Sequence, residues 1–213
     1  MKIGFNNKLT IDRLTKVGLF LTDGKNDVLL PLKYVPKKYE IGDEINVFVY
    51  LDHEERPVAT TLKPYITVGN FAYLSVNYIN KFGAFLNWGL EKDLFVPFKE
   101  QARPMEEKKR YLVFAYIDEK TNRIVASSRI SRFLNNEDLE IEIGEEVDLI
   151  VSHITELGIN VIINNKHSGL IYKSDVYEEL KQEADKYFRL DKEIKSVQSN
   201  EDKIKIVDEI ISI

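Results

Sequence analysis

The sequence predicts a mainly all-β protein built as tandem five-stranded β-barrels, with some helix in a third, degenerate copy. Three observations carry this: glycines that recur in one frame, apolar residues that alternate with period two inside each frame, and five short apolar runs in about 65 residues of the first two frames.

Gly4, Gly69 and Gly144 each stand 14 residues before Gly18, Gly83 and Gly158. Six residues further on lie Gly24, Gly89 and Asn164, and Asn is the next best residue for a left-handed backbone position. The frame absorbs eight of the ten glycines, so we read three copies over residues 1–64, 65–134 and 135–213, joined by short linkers near 62–68 and 132–139.

Each copy opens with a strand whose apolar positions agree in register: Leu9, Leu74 and Leu149, then Ile11, Val76 and Val151, then Leu14, Ile79 and Ile154. The second glycine starts a second run, 19–21, 84–86 or 159–161. It turns at the third column and returns as a third strand over 27–32, 93–98 or 169–174. After a polar connector, Glu44 to Asp52 and Lys109 to Asp118 read as fourth strands. Arg56 to Thr61 and Arg123 to Ser128 read as fifth strands. A mostly antiparallel closed barrel suits such short strands, because closure removes exposed edges. The third copy decays after Ser174. Val176, Leu180, Ala184 and Phe188 have helical spacing, and Lys203 to Val207 alternates as a last strand would, while Asp208 to Ile213 suits a short helix.

Composition narrows the function. There is no Cys, which excludes thiolate zinc sites, disulfides and cysteine nucleophiles. The N-terminal residues lack a signal-peptide core and no apolar run reaches membrane-spanning length, so the expected location is the cytoplasm, with no membrane partner. A net charge of −5 argues against nucleic acid until it is divided along the chain. Residues 1–65 carry +1, residues 66–134 carry +4 and residues 135–213 carry −10. The basic middle segment also holds Asn80 to Phe98, with four phenylalanines and Trp88, the chain's only tryptophan.

Phe82 to Phe85 on the second strand, Gly169 to Tyr172 on a third strand, Gly42 to Ile45 opening a fourth, and Asp118 followed by Arg123 and Ile124 at the fifth together resemble the S1 RNA-binding domain, an OB-fold barrel. The resemblance is strongest in the second copy, holds in the first apart from its aromatics, and covers three strands of the third. A run of such barrels with the string from Asn87 to Gln101 resembles the conserved virulence factor B family of bacterial RNA-binding proteins. Its members are described with a winged-helix module after the barrels, and no such domain is expected within residues 1–213.

The resemblance implies a single RNA strand lying across the second and third strands, stacked on their rings, with a charged pair near the fifth strand on the backbone. It places the second-strand rings at Phe82 and Phe85, the third-strand ring position at Val96, and the pair at Asp118 and Arg123. The first copy has Val17, Phe20, Leu30, Asp52 and Arg56 in these places; the third has Leu157, Asn160 and Tyr172. Independently of any family, a base offers a π-face to an aromatic ring, and Arg or Lys neutralises phosphate. Lys81, Lys92, Lys99, Lys109, Arg110 and Arg129 extend the basic track.

Plainer readings compete. Phe82 shares its column with Val17 and Leu157, read as core residues, so it is either core or platform. Phe85 is the stronger platform, because Asn160 occupies its column and an inward Asn is costly. Trp88, at the turn beside Gly89, either caps the barrel or meets RNA. Arg123 can simply pair with Asp118, and Lys108 to Arg110 can answer Glu106 and Glu107. His53, His153 and His167 show no ligand spacing and read as single surface residues. No phosphate-cradling loop, nucleophile elbow or His-Glu-x-x-His occurs, and Ser127 and Ser128 have no His in their copy. The expectation is a non-enzymatic binder of single-stranded RNA, and of single-stranded DNA by the same chemistry, with no cofactor and no metal. The acidic third copy would take a protein partner or act as a spacer. The rival expectation is a protein-interaction scaffold that has lost RNA binding.

Overall fold

The computed structural model of the protein describes residues 1–139, 141, 142 and 144–173, and the chain divides into two compact units, Met1–Ser128 and one beginning at Arg129. The expected helix over 176–188 and last strand over 203–207 lie outside the described residues.

The first unit holds two closed five-stranded barrels. One consists of β1 (Phe5–Thr15), β2 (Gly18–Thr22), β3 (Asp27–Pro31), β4 (Glu44–Leu51) and β5 (Pro57–Thr60), closed in the order β1-β2-β3-β5-β4. The other consists of β6 (Phe71–Asn80), β7 (Gly83–Asn87), β8 (Leu94–Pro97), β9 (Arg110–Asp118) and β10 (Arg123–Ser127), with the equivalent order. Neighbours pair antiparallel except β3 with β5 and β8 with β10, which run parallel and complete each ring. A short 3-10 helix, Leu32–Tyr34 or Phe98–Glu100, opens each connector after the third strand. In the second unit β11 (Leu149–Ile154), β12 (Gly158–Ile163) and β13 (His167–Tyr172) form an antiparallel three-stranded sheet.

The glycine frame is a frame of backbone constraints. Gly89 has φ +88° and its counterpart Asn164 has φ +49°, so both occupy the left-handed region that their residue types tolerate best. At Gly83 the need is space: an added Cβ would strike the carbonyl oxygen of Val96, and the same collision recurs at Gly18 with Leu30 and at Gly158 with Ile171.

Alternation builds each interior. Leu9, Ile11, Leu19, Leu21, Val28, Leu30, Val47, Val49 and Ala59 fill the first barrel, and Leu74, Val76, Ala84, Leu86, Leu94, Val96, Val113 and Ala126 belong to the core of the second. Period two would put Phe48 and Tyr50, between and beyond Val47 and Val49, on the outside of β4. They are nonetheless buried, because Trp88 of the second barrel packs edge-on against both rings at 5.7 and 6.3 Å. Burial in this junction pushes the Tyr50 hydroxyl up to about 12, with help from nearby Tyr34, Glu91 and Asp52.

Polar bonds frame the same junction. The Tyr65 N–H donates to the Trp88 carbonyl at 2.8 Å, the Lys92 Nζ donates to the Asp52 carbonyl at 2.7 Å, and Lys33 pairs with Glu91 across the barrels. Trp88, 3% exposed, is therefore part of a shared core. This corrects its assignment as an RNA contact, since no base can reach a ring that the first barrel already covers.

Candidate nucleic-acid interface

The outer face of the second barrel carries a ladder of rings. Tyr78, Phe85 and Phe95 are lateral neighbours on β6, β7 and β8. The Tyr78 and Phe85 centroids are 4.5 Å apart with planes 8° from parallel, and Phe85 and Phe95 are 4.9 Å apart, tilted by 34°.

Two local features aim those rings outward. The register of β6 on β7 shifts between Val76 and Tyr78, so Asn77 is an extra residue and the side chains beyond it change face. Val76 is buried while Tyr78 is 44% exposed. On β8 plain alternation buries Leu94 and Val96 and leaves Phe95 facing out. The third-strand ring position is thus Phe95 rather than Val96, which is fully buried opposite Ala84.

The same row exists in each copy with different chemistry. Bulges at equivalent places align Arg13, Phe20 and Leu29 in the first barrel and His153, Asn160 and Leu170 in the third sheet. The Arg13 guanidinium lies 4.4 Å over the Phe20 ring and is held by Asp12 and, at 2.9 Å, by Asp27. Those carboxylates raise the Arg13 pKa, Asp27 foremost, and Arg13 in turn lowers that of Asp27. Tyr172 is exposed, but it pairs with Gly158 and so shares its column with Pro31 and Pro97, two positions past the ring row. Its assignment to the column of Val96 and Leu30 is corrected by that register.

Phe82 proves to be surface. It is 61% exposed at the β6–β7 turn, with Lys81 Nζ 5.0 Å over its ring, and Val17 and Leu157 in the same column are equally open. The aliphatic column therefore marks an exposed turn and not the core. Phe98, also exposed, sits beside it, its N–H donating to the Phe82 carbonyl at 3.3 Å.

The charged positions rearrange more. Asp118 and Arg123 are backbone partners in the β9–β10 ladder, yet the Arg123 guanidinium pairs with Glu55 of the first barrel. Asp118 accepts from the Thr121 hydroxyl at 2.8 Å, which lowers its pKa against the opposing effect of desolvation, with lesser help from the Lys120 backbone and from Lys99. Among the described residues the expected Asp–Arg pair forms in the first barrel and not in the second: Arg56 donates to Asp52 at 2.8 and 3.0 Å and also meets Glu54. Lys109 pairs with Glu106 at 2.8 Å, Arg110 donates to the Tyr73 carbonyl at 3.1 Å, and Arg129 belongs to the second unit. Burial lowers the pKa of Lys92, which bridges the barrels instead of widening a track. His167, expected at the surface, is buried against the Asn135 carbonyl. Among the described residues no group of three His, Cys, Asp or Glu side chains is placed to hold a metal ion, and no helix is long and apolar enough to cross a membrane.

Of the predicted residues, the fold gathers Phe82, Phe85 and Lys81 on the second barrel and sets Arg123 at the start of β10, two positions before Val125, the lateral neighbour of Phe95. Sequence reasoning missed Tyr78 and Phe95. The alternation of Leu94, Phe95 and Val96 was a usable signal for one. For the other, the only trace was apolar spacing of two and then three along Leu74, Val76 and Ile79.

A family model described as S1 domain matches residues 3–62 and again residues 68–128, together more than half of the chain. The chain belongs to the S1 domain family. Its two matched S1 domains are the two closed barrels. The chain is 35% identical over 108 residues to the uncharacterized protein YitL of Bacillus subtilis (strain 168), covering 50% of this chain and 36% of that protein. It superposes on a multidomain protein with nucleic acid binding domains from Streptococcus pneumoniae TIGR4 with a TM-score of 0.52 and 18% identity, over 82% of this chain and 64% of that one. The chain thus spans about a third of the curated relative and less than two thirds of the pneumococcal structure. The latter likeness concerns the S1-type fold.

Proposed function

We propose that the protein is a non-enzymatic, cytoplasmic binder of single-stranded RNA, and of single-stranded DNA by the same stacking, whose main contact surface is the second S1 domain. The observation that carries this reading is the ladder of exposed Tyr78 and half-buried Phe85 and Phe95 on that barrel's outer face. Bases stack on such rings whatever their identity, at about 1–3 kcal/mol each. Phe82 with Lys81 continues the track at the turn, and Arg123 serves a phosphate by exchanging its Glu55 partner. Phe20 and Arg56 of the first barrel add weaker contacts through linkage in one chain. Membership of the conserved virulence factor B family and a regulatory role in bacterial translation or RNA decay belong to the same proposal, as does the division into copies at 1–64, 65–134 and 135–213.

A protein contact suits the third copy better than RNA does. Its segment carries −10, and its ring row reads His153, Asn160 and Leu170, with no Phe, Tyr or Trp.

Titration of labelled oligouridylate and oligoadenylate against the intact chain at two salt concentrations tests the reading. Affinity is expected to weaken with salt and to fall roughly 5- to 150-fold in Phe85→Ala, the equivalent of about 1–3 kcal/mol. A duplex control should bind less, because stacking needs unstacked bases. Absence of binding at low salt overturns the proposal in favour of a protein scaffold.

A further inference from the structure

Beside the ring ladder runs a second outward row. Asn77 is the bulge residue of β6, and Asn87 and Asp93 flank the last register pair of β7 and β8, Leu86 with Leu94. The Asn77 Nδ2 donates to Asp93 Oδ1 at 2.8 Å, and the Asn87 Oδ1 accepts from the Gly89 N–H at 2.9 Å. Asp93 is half-buried, and its charge reaches the Tyr78 hydroxyl, raising that group's pKa behind the larger effect of burial. An amide–carboxylate row therefore stands next to the rings.

That carboxylate differs from its counterpart. Asp27 of the first barrel holds Arg13 at 2.9 Å, whereas Asp93 has no cationic partner in an ion pair among the described residues. Burial raises its pKa, and the Asn77 hydrogen bond and the influence of His53 offset this only in part. A phosphate is repelled from such a group, while a base edge rich in N–H donors is attracted. A single strand stacked on rings presents that edge for hydrogen bonding. Guanine alone offers two adjacent donors there, N1–H and the N2 amino group, matching the two oxygens of a carboxylate. Adenine and cytosine set one amino donor beside an acceptor, and uracil sets one imino donor between two acceptors.

We propose that Asp93, oriented by Asn77, reads the Watson–Crick edge of a base stacked on Tyr78 and Phe85 and selects guanine. The inference rests on the RNA-binding reading above and adds a base preference to it. The second barrel is then a selective site, and the first, with Asp27 already held, is not.

The test compares a short labelled oligouridylate with the same strand carrying one central G, A or C, bound to the intact chain, Asp93→Asn and Asp27→Asn. The wild-type chain should prefer the G strand by roughly tenfold, in the range of one good bidentate base contact. Asp93→Asn should lose that preference while keeping the wild-type melting behaviour, and Asp27→Asn should keep the preference. Binding of all strands without preference for G, or a preference that survives Asp93→Asn, overturns the role of Asp93 and leaves RNA binding standing. No binding of any strand overturns the RNA reading itself, and the inference with it.

Discussion

Phe95 and Val96 are adjacent on β8, one half-open beside Phe85 and the other sealed against Ala84. Truncating them should therefore separate two properties. Phe95→Ala is expected to weaken oligonucleotide affinity roughly 5- to 150-fold while leaving urea unfolding nearly unchanged, since a base loses its ring but the core loses nothing. Val96→Ala is expected to cost about 1–3 kcal/mol of stability and to leave the affinity of the folded protein alone. Paired unfolding and titration curves check both, and a Val96→Ala protein that folds well but fails to bind would contradict the assignment. Arg13 over Phe20 makes the complementary point: the first barrel's one ring in this row is already faced by a guanidinium.

At the scale of elements, the β4–β5 turn of the first barrel reaches over the second. Asp52 accepts from Lys92 through its carbonyl, and Glu55 takes Arg123. Arg123 and Glu55 are both roughly half exposed, so the pair itself contributes little stability, on the order of 0–1 kcal/mol. Under the proposed RNA-binding reading its consequence would lie in binding, because Glu55 would compete with phosphate for the guanidinium. Glu55→Gln should strengthen RNA affinity several-fold and steepen its salt dependence, whereas Arg123→Ala should weaken affinity and flatten that dependence. Equal affinities for the wild-type chain and both variants would remove Arg123 from the binding surface. The β6 bulge is the other decisive element: one extra residue, Asn77, turns Tyr78 out toward Phe85 and places its own amide on Asp93.

For the molecule as a whole, the two barrels share a core rather than merely a linker. Phe48, Tyr50 and Val58 of the first barrel join Trp88, Leu90 and Ile66 in the cluster that continues into the second. Residues 1–128 should accordingly unfold in one cooperative step. Trp88→Ala, removing the ring at the centre of the junction, is expected to cost about 3–5 kcal/mol and to split that step into two, as followed by calorimetry. One unsplit transition in the variant would mean that the barrels are coupled by something other than this contact. Charge completes the picture, since basic residues are spread almost evenly along the chain while acidic ones are fewest in residues 66–134, which bear the ladder, and most numerous in residues 135–213.

The sequence by itself determined what backbone geometry imposes locally. Left-handed turns demand Gly89 and Asn164, the close approach to Val96 demands Gly83, and half-buried strands demand alternation; each leaves a residue type at a fixed spacing, so the tandem barrels and the outward place of Phe85 on its strand were legible. Tertiary structure decided which faces meet what. A bulge reversed the side-chain phase before Tyr78, and register moved the third-strand ring from Val96 to Phe95 and took Tyr172 out of the row. Packing of one barrel on the other buried Trp88 and gave Arg123 to Glu55 in place of Asp118. Burial and ion pairing depend on proximity in space, and Glu55 and Arg123 reach each other only after both barrels have closed and docked.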